Sequence, residues 1–185
     1  YQPETQAYAL SRGVPYLNDI RGFPESALYP ALGASDAKLI VMHAIQDGQA
    51  DRRAAPPGDI MDHISHFFEA RIAALERAGI ARDRLILDPG MGFFLGSAPE
   101  TSLAVLARFG EIKAGFGLPV LISVSRKSFL RSLTNRGANE AGAATLAAEL
   151  SIALAGVDFI RTHEPAPLTD GLKVLAALKE TARIR

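Results

Sequence analysis

The stretch PVLISVSRKSFL, from Pro119 to Leu130, decides the fold because a buried strand within it ends on adjacent cations. Six apolar or small residues lead into Ser125, Arg126 and Lys127, and the sequence then turns apolar again. Strands that are apolar at almost every position are buried on both faces, as in a parallel sheet covered by helices. The cations therefore indicate a site at the edge of a parallel sheet.

The rest of the chain repeats this alternation of apolar runs and helical segments. Gly79 and Gly156 stand where a helix should stop, and Pro99 stands where one could begin. The repetition predicts successive βα units. We predict strands over Tyr16–Ile20, Lys38–His43, Arg84–Asp88, Pro119–Ser125 and Asp158–His163, and helices over Pro3–Arg12, Ser26–Gly33, Pro57–Gly79, Pro99–Phe116, Ala141–Ala155 and Pro167–Arg183.

Polar groups at the strand ends distinguish between two α/β folds. Asn18, His43, Asp88, Lys127 and Arg161 each lie at the end of a different predicted strand. A barrel builds one site from the ends of many strands, whereas a doubly wound sheet binds its ligand at one switch point, usually with a Gly-rich first turn. We therefore predict a (β/α)8 TIM barrel. Because a full barrel needs about 250 residues, only about its last five βα units are expected here, and the chain is expected to be incomplete at its N-terminus.

Composition excludes several classes of protein. Cysteine is absent, so disulfides, thiolate catalysis and cysteine-ligated metals are excluded. The formal net charge is zero, which gives no reason to expect a nucleic acid or an anionic membrane as partner. Any anion site must therefore be local. With no long apolar run and no secretory signal, we expect a cytoplasmic protein of one domain.

The segment LILDPGMGFF, Leu85–Phe94, places Asp88 at the end of a buried strand, before two glycines that permit a tight turn. Read as Gly-x-Gly, these glycines are weak evidence for dinucleotide binding, since a third glycine is missing and no helix follows at once. Aspartate before Pro-Gly is also common in turns. Asp88 is therefore either a ligand-binding carboxylate or a turn residue.

Lys127 allows three interpretations. A desolvated lysine could form a Schiff base with a carbonyl substrate, a charged one could donate to a heterocycle or a phosphate, and a solvated one would belong to a basic turn. Arg126 beside it favours the binding of an anion or a ring. Arg161 and His163, two residues apart at a strand end, can together hold a phosphate.

Two further features are weaker. His63 and His66, with Asp59 and Asp62, could form a metal site, but there is no HExxH motif and we expect a solvated helix face. The polar segment Asp47–Asp59 is either a mobile lid over the strand ends or a connector.

Five motifs, taken in order, resemble the dihydropteroate synthase family, in particular its acquired, sulfonamide-resistant type 2 group, over residues 1–185. The resemblance implies that these residues are the C-terminal part of a single pterin-binding TIM-barrel domain. It also implies a transferase of folate biosynthesis, which joins 6-hydroxymethyl-7,8-dihydropterin pyrophosphate to p-aminobenzoate and releases pyrophosphate. The motifs are YLNDIRGF, VMH, LILDPGMGF, SVSRKSFL and FIRTHE.

The resemblance also implies roles for single residues. Asn18 and Asp88 match positions that hydrogen-bond the amino-pyrimidine edge of the pterin, and Met42 matches one that packs on its face. Lys127 matches the lysine that contacts the pterin and borders the p-aminobenzoate pocket, with Ser128 nearby. The resemblance further implies a diphosphate site at Arg161, Thr162 and His163, and catalysis by Lys127, Arg161 and His163. Our own hypothesis is that Phe93 and Phe94 crowd the p-aminobenzoate pocket, so that a bulkier sulfonamide is rejected.

The family further implies Mg²⁺ and a homodimer. The magnesium ligand is expected upstream of Tyr1, with no metal site in this segment, and the segment alone is expected to be inactive. Two alternatives remain open. One is a Schiff-base aldolase with Lys127 as nucleophile, and the other is an inactive fragment that binds pterin.

Overall fold

Five parallel strands alternate with helices along residues 1–48 and 50–183, which are the residues that the computed structural model describes. The strands are β1 (Tyr16–Asp19), β2 (Lys38–Met42), β3 (Leu85–Asp88), β4 (Leu121–Ile122) and β5 (Phe159–Ile160). The helices are α1 (Pro3–Ser11), α2 (Tyr29–Gly33), α3 (Ile60–Arg77), α4 (Pro99–Phe116), α5 (Ser128–Thr134), α6 (Gly142–Leu154) and α7 (Pro165–Arg183).

The order of the strands in space follows their order in the chain. β1 pairs with β2 and β2 with β3, all in parallel. A single parallel bridge between Leu87 and Val120 joins β3 to β4, and β4 pairs in parallel with β5. This is the arrangement of a barrel wall and not that of a doubly wound sheet, whose strand order reverses. The prediction of consecutive parallel βα units is confirmed.

The two faces of this sheet have different surroundings because side chains alternate along a strand. Leu17, Val41 and Leu87 belong to the apolar core that the helices cover, and each of these three side chains is buried. The residues that follow them, Asn18, Met42 and Asp88, therefore point to the opposite, concave face.

Helices α3 and α4 cover the outer face through apolar side chains at helical spacing. Ile64, Phe68 and Leu75 of α3 are fully buried, and so is Val105 of α4. Burial of one such side chain stabilises a fold by roughly 1.5 to 3 kcal/mol. These contacts hold the strands in place, so their C-terminal ends can carry polar groups.

The ends of two helices follow from their sequence. α4 begins at Pro99 and stops before Gly117, whose φ of 63° is left-handed and favours glycine. α3 starts later than the predicted Pro57, because the side chain of Asp59 caps it by accepting a hydrogen bond from the Met61 N–H at 3.0 Å.

The rings of Tyr16 and Phe159 meet edge to face at the other end of the strands, with centroids 6.5 Å apart. They belong to β1 and β5, the two outer strands of the described sheet, so the sheet curves strongly. Among the described residues, no helix is both long and apolar enough to span a membrane.

Candidate active site

The concave face brings together three of the predicted site residues. Met42 and Asp88 are register partners on β2 and β3, and Asn18 lies on β1 opposite Ile40. The side-chain oxygen Oδ1 of Asn18 is buried and has no hydrogen-bond partner among the described residues. A buried carbonyl oxygen without a donor is costly. This atom is therefore well suited to accept a hydrogen bond from a ligand.

Asp88 is the deepest charged group of the site, with only 2% of its surface exposed. Its Oδ1 accepts a hydrogen bond from the Gly90 N–H at 2.9 Å. Burial raises the pKa of Asp88, and the Gly90 N–H and the charges of Arg161 and Lys127 oppose that rise. The turn interpretation is confirmed, because one carboxylate oxygen fixes the Asp-Pro-Gly turn. The binding interpretation stays a prediction, for which the other carboxylate oxygen is available.

Lys127 lies close enough to Asp88 and Arg161 to interact with the charge of each. Burial lowers the pKa of Lys127, Asp88 raises it, and Arg161 lowers it further. Its Nζ also lies over the ring of Phe94, 5.1 Å from the centroid. The structure therefore brings Asp88, Lys127 and Arg161 together from three different strand ends, as the sequence predicted.

The turn Gly92–Phe94 packs directly against Lys127 and Ser128. A Cβ atom added to Gly92, whose φ is 66°, would lie 3.2 Å from Ser128 Oγ and 3.4 Å from Lys127 Cδ. Glycine is needed here because the backbone approaches so closely. Phe93 and Phe94, both half-buried, thereby stand beside the lysine and the serine.

His163 is held by Ser125 of the neighbouring strand end. Its Nδ1 lies 2.9 Å from Ser125 Oγ, and its backbone N–H donates to the same oxygen at 3.2 Å. Thr162, which was predicted to share the anion site, has different partners. Its hydroxyl accepts from the Glu164 N–H at 3.0 Å, and it lies near Glu149 of α6, where it opposes the rise in pKa that burial causes. Its side chain therefore faces the helix layer, which leaves only its backbone for a ligand.

Arg126 is committed to an ion pair. Its Nη2 donates to Glu164 Oε1 at 2.8 Å, and its backbone N–H donates to Thr145 Oγ1 at 3.1 Å. Its φ of 57° is left-handed, which is uncommon for arginine and turns the chain sharply between Ser125 and Lys127. Of the two adjacent cations, Lys127 is thus the one that faces Asp88.

The sequence analysis missed a pair of histidines behind the Asp88 turn. Nδ1 of His43 lies 3.0 Å from the Pro89 carbonyl oxygen, and its Nε2 lies 2.9 Å from Nδ1 of His63. His43 is fully buried, and this desolvation lowers its pKa to about 4. His63 is exposed, as expected for the outer face of α3, but its ring also contacts that of His43. The only signal in the sequence was the position of His43 at a strand end.

Asp19 differs from Asn18 although they are neighbours at the same strand end. The carboxylate of Asp19 is buried and accepts from Gln6 Nε2 and from the Arg21 N–H, each at 2.8 Å. It joins α1 to β1 on the helix side of the sheet. Its role is therefore structural.

The segment after β2 packs against the turn that carries the two phenylalanines. The Ile45 N–H donates to the Phe94 carbonyl at 3.0 Å, and the Ser97 N–H donates to the Arg53 carbonyl at 2.8 Å. Part of the segment Asp47–Asp59 thus forms a wall of the site. Gln49, within the predicted lid or connector, lies outside the described residues.

The described residues hold no cluster of three or more His, Asp or Glu side chains that could bind a metal ion. The described side chains therefore do not form a Mg²⁺ site by themselves. The expectation that a magnesium ligand lies upstream stays a prediction.

Comparison with known sequences gives consistent matches. The family profile described as pterin binding enzyme matches residues 1–163. The chain is 76% identical over 185 residues to dihydropteroate synthase type-2 of Escherichia coli, which covers all of this chain and 68% of that protein. It is 55% identical over 174 residues to dihydropteroate synthase type-1 of Pseudomonas aeruginosa, covering 93% of this chain and 62% of that one.

Solved structures agree with these matches. Dihydropteroate synthase from Stenotrophomonas maltophilia with active site-bound imidazole superposes with a TM-score of 0.88 at 29% identity, covering 97% of this chain and 67% of that one. The Xanthomonas albilineans enzyme with 4-aminobenzoic acid superposes with a TM-score of 0.86 at 29% identity, covering 97% of this chain and 63% of that one. The chain thus spans about two thirds of the length of the relatives it matches.

Proposed function

The chain belongs to the dihydropteroate synthase family, whose members are transferases of folate biosynthesis, and we propose that it joins 6-hydroxymethyl-7,8-dihydropterin pyrophosphate to p-aminobenzoate. The products would be 7,8-dihydropteroate and pyrophosphate. The observation that carries this proposal is the buried carboxylate of Asp88, which faces the cations Lys127 and Arg161 at the ends of neighbouring strands.

The pterin would bind on the concave face. Its amino-pyrimidine edge carries N–H donors, and the free oxygens of Asp88 and Asn18 are acceptors. Met42 lies beside Asp88 in the register and offers a flexible apolar surface for the ring. A flat, polar-edged heterocycle matches this combination of two buried acceptors and an apolar neighbour.

The diphosphate would lie against Arg161 and His163. An arginine can hold a phosphate through two parallel N–H donors, and His163 has one ring nitrogen left after its contact with Ser125. The reaction would begin with cleavage of the C–O bond to pyrophosphate, whose negative charge these groups stabilise. The arylamine nitrogen would then attack the resulting pterin methylene cation. Neither of these steps requires a covalent bond between a side chain and the substrate.

The arylamine would lie between the phenylalanine turn and the Lys127–Ser128 pair. Phe93 and Phe94 narrow this space, and the cation–π contact of Lys127 fixes the ring of Phe94. We infer that the protein confers sulfonamide resistance. A sulfonamide is bulkier than p-aminobenzoate and would clash with these rings. Replacing Phe94 by Gly should restore sensitivity, and an unchanged inhibition constant for sulfonamides would count against the idea.

The reaction is tested by incubating the complete gene product with both substrates and Mg²⁺ and following 7,8-dihydropteroate by chromatography. A second candidate, a Schiff-base aldolase, is favoured by the lowered pKa of Lys127. Borohydride reduction with a carbonyl substrate, followed by mass spectrometry, would trap an adduct on Lys127 only for the aldolase. Pterin binding without product would instead indicate an inactive pterin-binding fragment.

We also propose a homodimer in the cytoplasm. Support for the dimer comes from large apolar side chains exposed on α6 and α7, namely Leu154, Val174 and Leu178. Exposed apolar patches of this kind commonly mark contacts between proteins. Sedimentation of the complete gene product should give the mass of a dimer, and Leu178→Glu should shift it toward the monomer.

A further inference from the structure

Helix α6 buries two polar side chains against the sheet. Its buried residues are Thr145, Glu149 and Ile152, and each has at most 2% of its surface exposed. They lie at helical spacing on one side of the helix. Apolar side chains would pack there at lower cost, because a buried carboxyl group is unfavourable unless it has partners. We call Thr145 and Glu149 the polar face of α6, and their partners indicate their purpose.

Thr145 contacts the chain just after β4. Its Oγ1 accepts a hydrogen bond from the Arg126 N–H at 3.1 Å. The left-handed φ of Arg126, 57°, is strained for a side chain and persists only where its surroundings hold it. Thr145 therefore helps to fix the sharp turn that leads into Lys127.

Glu149 lies near the chain just after β5. Its carboxyl group is close to the hydroxyl of Thr162, which accepts a hydrogen bond from the Glu164 N–H at 3.0 Å. Burial raises the pKa of Glu149, Thr162 opposes that rise, and the charge of Glu164 adds to it. The shift favours the neutral form, which weakens the repulsion between this group and an anion bound nearby.

An ion pair joins the two strand ends to each other and to α6. Arg126 Nη2 donates to Glu164 Oε1 at 2.8 Å. A Cβ added to Gly142, in the first turn of α6, would lie 3.5 Å from Glu164 Oε2. Ser125 Oγ adds a further link, because it accepts from the His163 N–H at 3.2 Å. The ends of β4 and β5 are thus held against one helix.

The residues on either side of Thr162 are Arg161 and His163, the two groups of the proposed diphosphate site. The Arg161 N–H donates to the Ile122 carbonyl at 3.0 Å, so pairing with β4 continues to this residue. Because side chains alternate in direction along extended chain, Arg161 and His163 point away from α6 when Thr162 points toward it. A contact that anchors Thr162 to α6 therefore also orients its two neighbours.

We propose that Glu149 is a positioning residue for the diphosphate, which acts through Thr162 to hold Arg161 and His163 where both can contact one phosphorylated ligand. This inference rests on the proposed function. Glu149 itself does not touch the substrate, because it lies on the helix side of the strand end. Its Oε1 is buried and has no hydrogen-bond partner within residues 1–48 and 50–183, which makes Glu149 costly as a packing residue alone.

The test compares two ligands that share the pterin ring, the dihydropterin pyrophosphate and 6-hydroxymethyl-7,8-dihydropterin, which lacks the diphosphate. Titration calorimetry on the complete gene product with Mg²⁺ gives the Kd of each. We expect Glu149→Ala to raise the ratio of the pyrophosphate Kd to the alcohol Kd at least about tenfold, because two diphosphate contacts are misplaced together. In steady-state kinetics the KM of the dihydropterin pyrophosphate should rise, and the KM of p-aminobenzoate should not.

Three further variants separate positioning from packing. Thr162→Val, which removes only the hydroxyl, should raise the ratio as Glu149→Ala does, and the double variant should be no worse than the worse single one, because both act through one chain of contacts. Glu149→Gln keeps the size and a hydrogen-bonding group, so its ratio should stay within about threefold of the wild type. Ile152→Ala, on the same side of α6, is the matched control, which should lower stability and leave the ratio unchanged.

The outcomes distinguish this inference from the proposed function. A ratio within about twofold of the wild type in both Glu149→Ala and Thr162→Val, with product still formed, overturns the positioning role and leaves the proposed function intact. An equal effect of Ile152→Ala also overturns it, since packing alone would then explain the result. If Glu149→Ala does not fold, by circular dichroism, Thr162→Val decides alone. If the wild type forms no product and binds the pyrophosphate no more tightly than the alcohol, the proposed function fails, and this inference fails with it.

Discussion

Nε2 of His43 lies 2.9 Å from Nδ1 of His63, and Nδ1 of His43 lies 3.0 Å from the Pro89 carbonyl oxygen. Because a carbonyl oxygen can only accept, one proton of His43 is assigned to Nδ1. Burial lowers the pKa of His43 to about 4, so the ring is neutral at pH 7 and its Nε2 accepts from Nδ1 of His63. This histidine thus ties α3 to the turn that presents Asp88.

The first prediction concerns the stability of this arrangement toward acid. Burial lowers the pKa of His43 from 6.5 to about 4, so the unfolded chain binds a proton in this range that the folded one does not. The stability that depends on neutral His43 is therefore complete above pH 6.5 and is lost as the pH falls to about 4. The loss from this group should amount to about 3 kcal/mol in the free energy of unfolding.

Urea unfolding across this pH range would measure the loss in the free energy of unfolding. Carboxylates also titrate there, so the informative quantity is the difference between the wild type and His43→Gln, which keeps an uncharged donor and acceptor. We expect this difference to shrink as the pH falls from 7 to 4. Two parallel stability curves would contradict the assignment.

Asp88→Asn should weaken pterin binding without unfolding the chain. The substitution keeps the shape and the bond from the Gly90 N–H, but it replaces one acceptor oxygen by an N–H₂ donor that faces the donors of the ligand. Loss of a charged hydrogen bond with a buried unpaired group costs about 2 to 3 kcal/mol, so the Kd should rise by roughly 30-fold to 150-fold. Titration calorimetry with the dihydropterin pyrophosphate would measure the change.

Asp19→Asn is the matched control, because Asp19 is a buried carboxylate on the helix side of the same sheet. It should lower the free energy of unfolding by about 1 to 3 kcal/mol through its bonds to Gln6 and Arg21, and it should leave the pterin Kd unchanged. A large effect of Asp19→Asn on binding would mean that the two faces are not separated as described.

Asn18→Val should affect stability and binding in opposite directions. The buried Oδ1 of Asn18 has no partner among the described residues, so an apolar, β-branched side chain should raise the free energy of unfolding by about 1 kcal/mol. It should also weaken pterin binding by removing an acceptor. Thermal unfolding and calorimetry on one preparation would test both, and a less stable Asn18→Val variant would argue that the oxygen is already satisfied.

Gly90→Ala should be strongly destabilising. A Cβ at this position would lie 2.4 Å from the His43 carbonyl oxygen, and the φ of 74° is strained for any side chain. We expect a loss of at least about 3 kcal/mol in the free energy of unfolding.

Gly115→Ala provides the opposite case, since this helical glycine of α4 has no atom within 4 Å of an added Cβ. It should raise the free energy of unfolding by up to about 1 kcal/mol. Equal effects of the two substitutions, measured by urea unfolding, would contradict the close approach at Gly90.

The helices could be predicted where local signals fix their ends. The predicted Pro99–Phe116 matches α4 because proline suits the first turn and Gly117 takes the left-handed conformation. α5 was missed because its apolar residues directly follow a strand and give no separate period over one or two turns. β4 is shorter than its apolar run, Pro119–Ser125, because ladder pairing and not hydrophobicity sets the bounds of a strand.

The site could be predicted only as far as strand ends reveal it. Polar residues at these ends identified Asp88, Lys127 and Arg161, which the structure does bring together. Sequence could not reveal that Asn18 faces the cavity while Asp19 faces α1, or that Arg126 pairs with Glu164. The contact of His63 with His43 joins residues 20 positions apart, and no local pattern encodes it.

Neighbouring positions along one strand serve different purposes, because one side chain faces the cavity and the next faces the helices. A change at Asn18 or Met42 alters the shape and polarity of the cavity, whereas a change at Leu17 or Val41 alters the packing of the helices on the sheet. A lineage under selection by a drug can therefore revise ligand-facing side chains one at a time, without first rebuilding its interior. Adaptability of this kind follows from nothing more than the two-residue period of a β-strand.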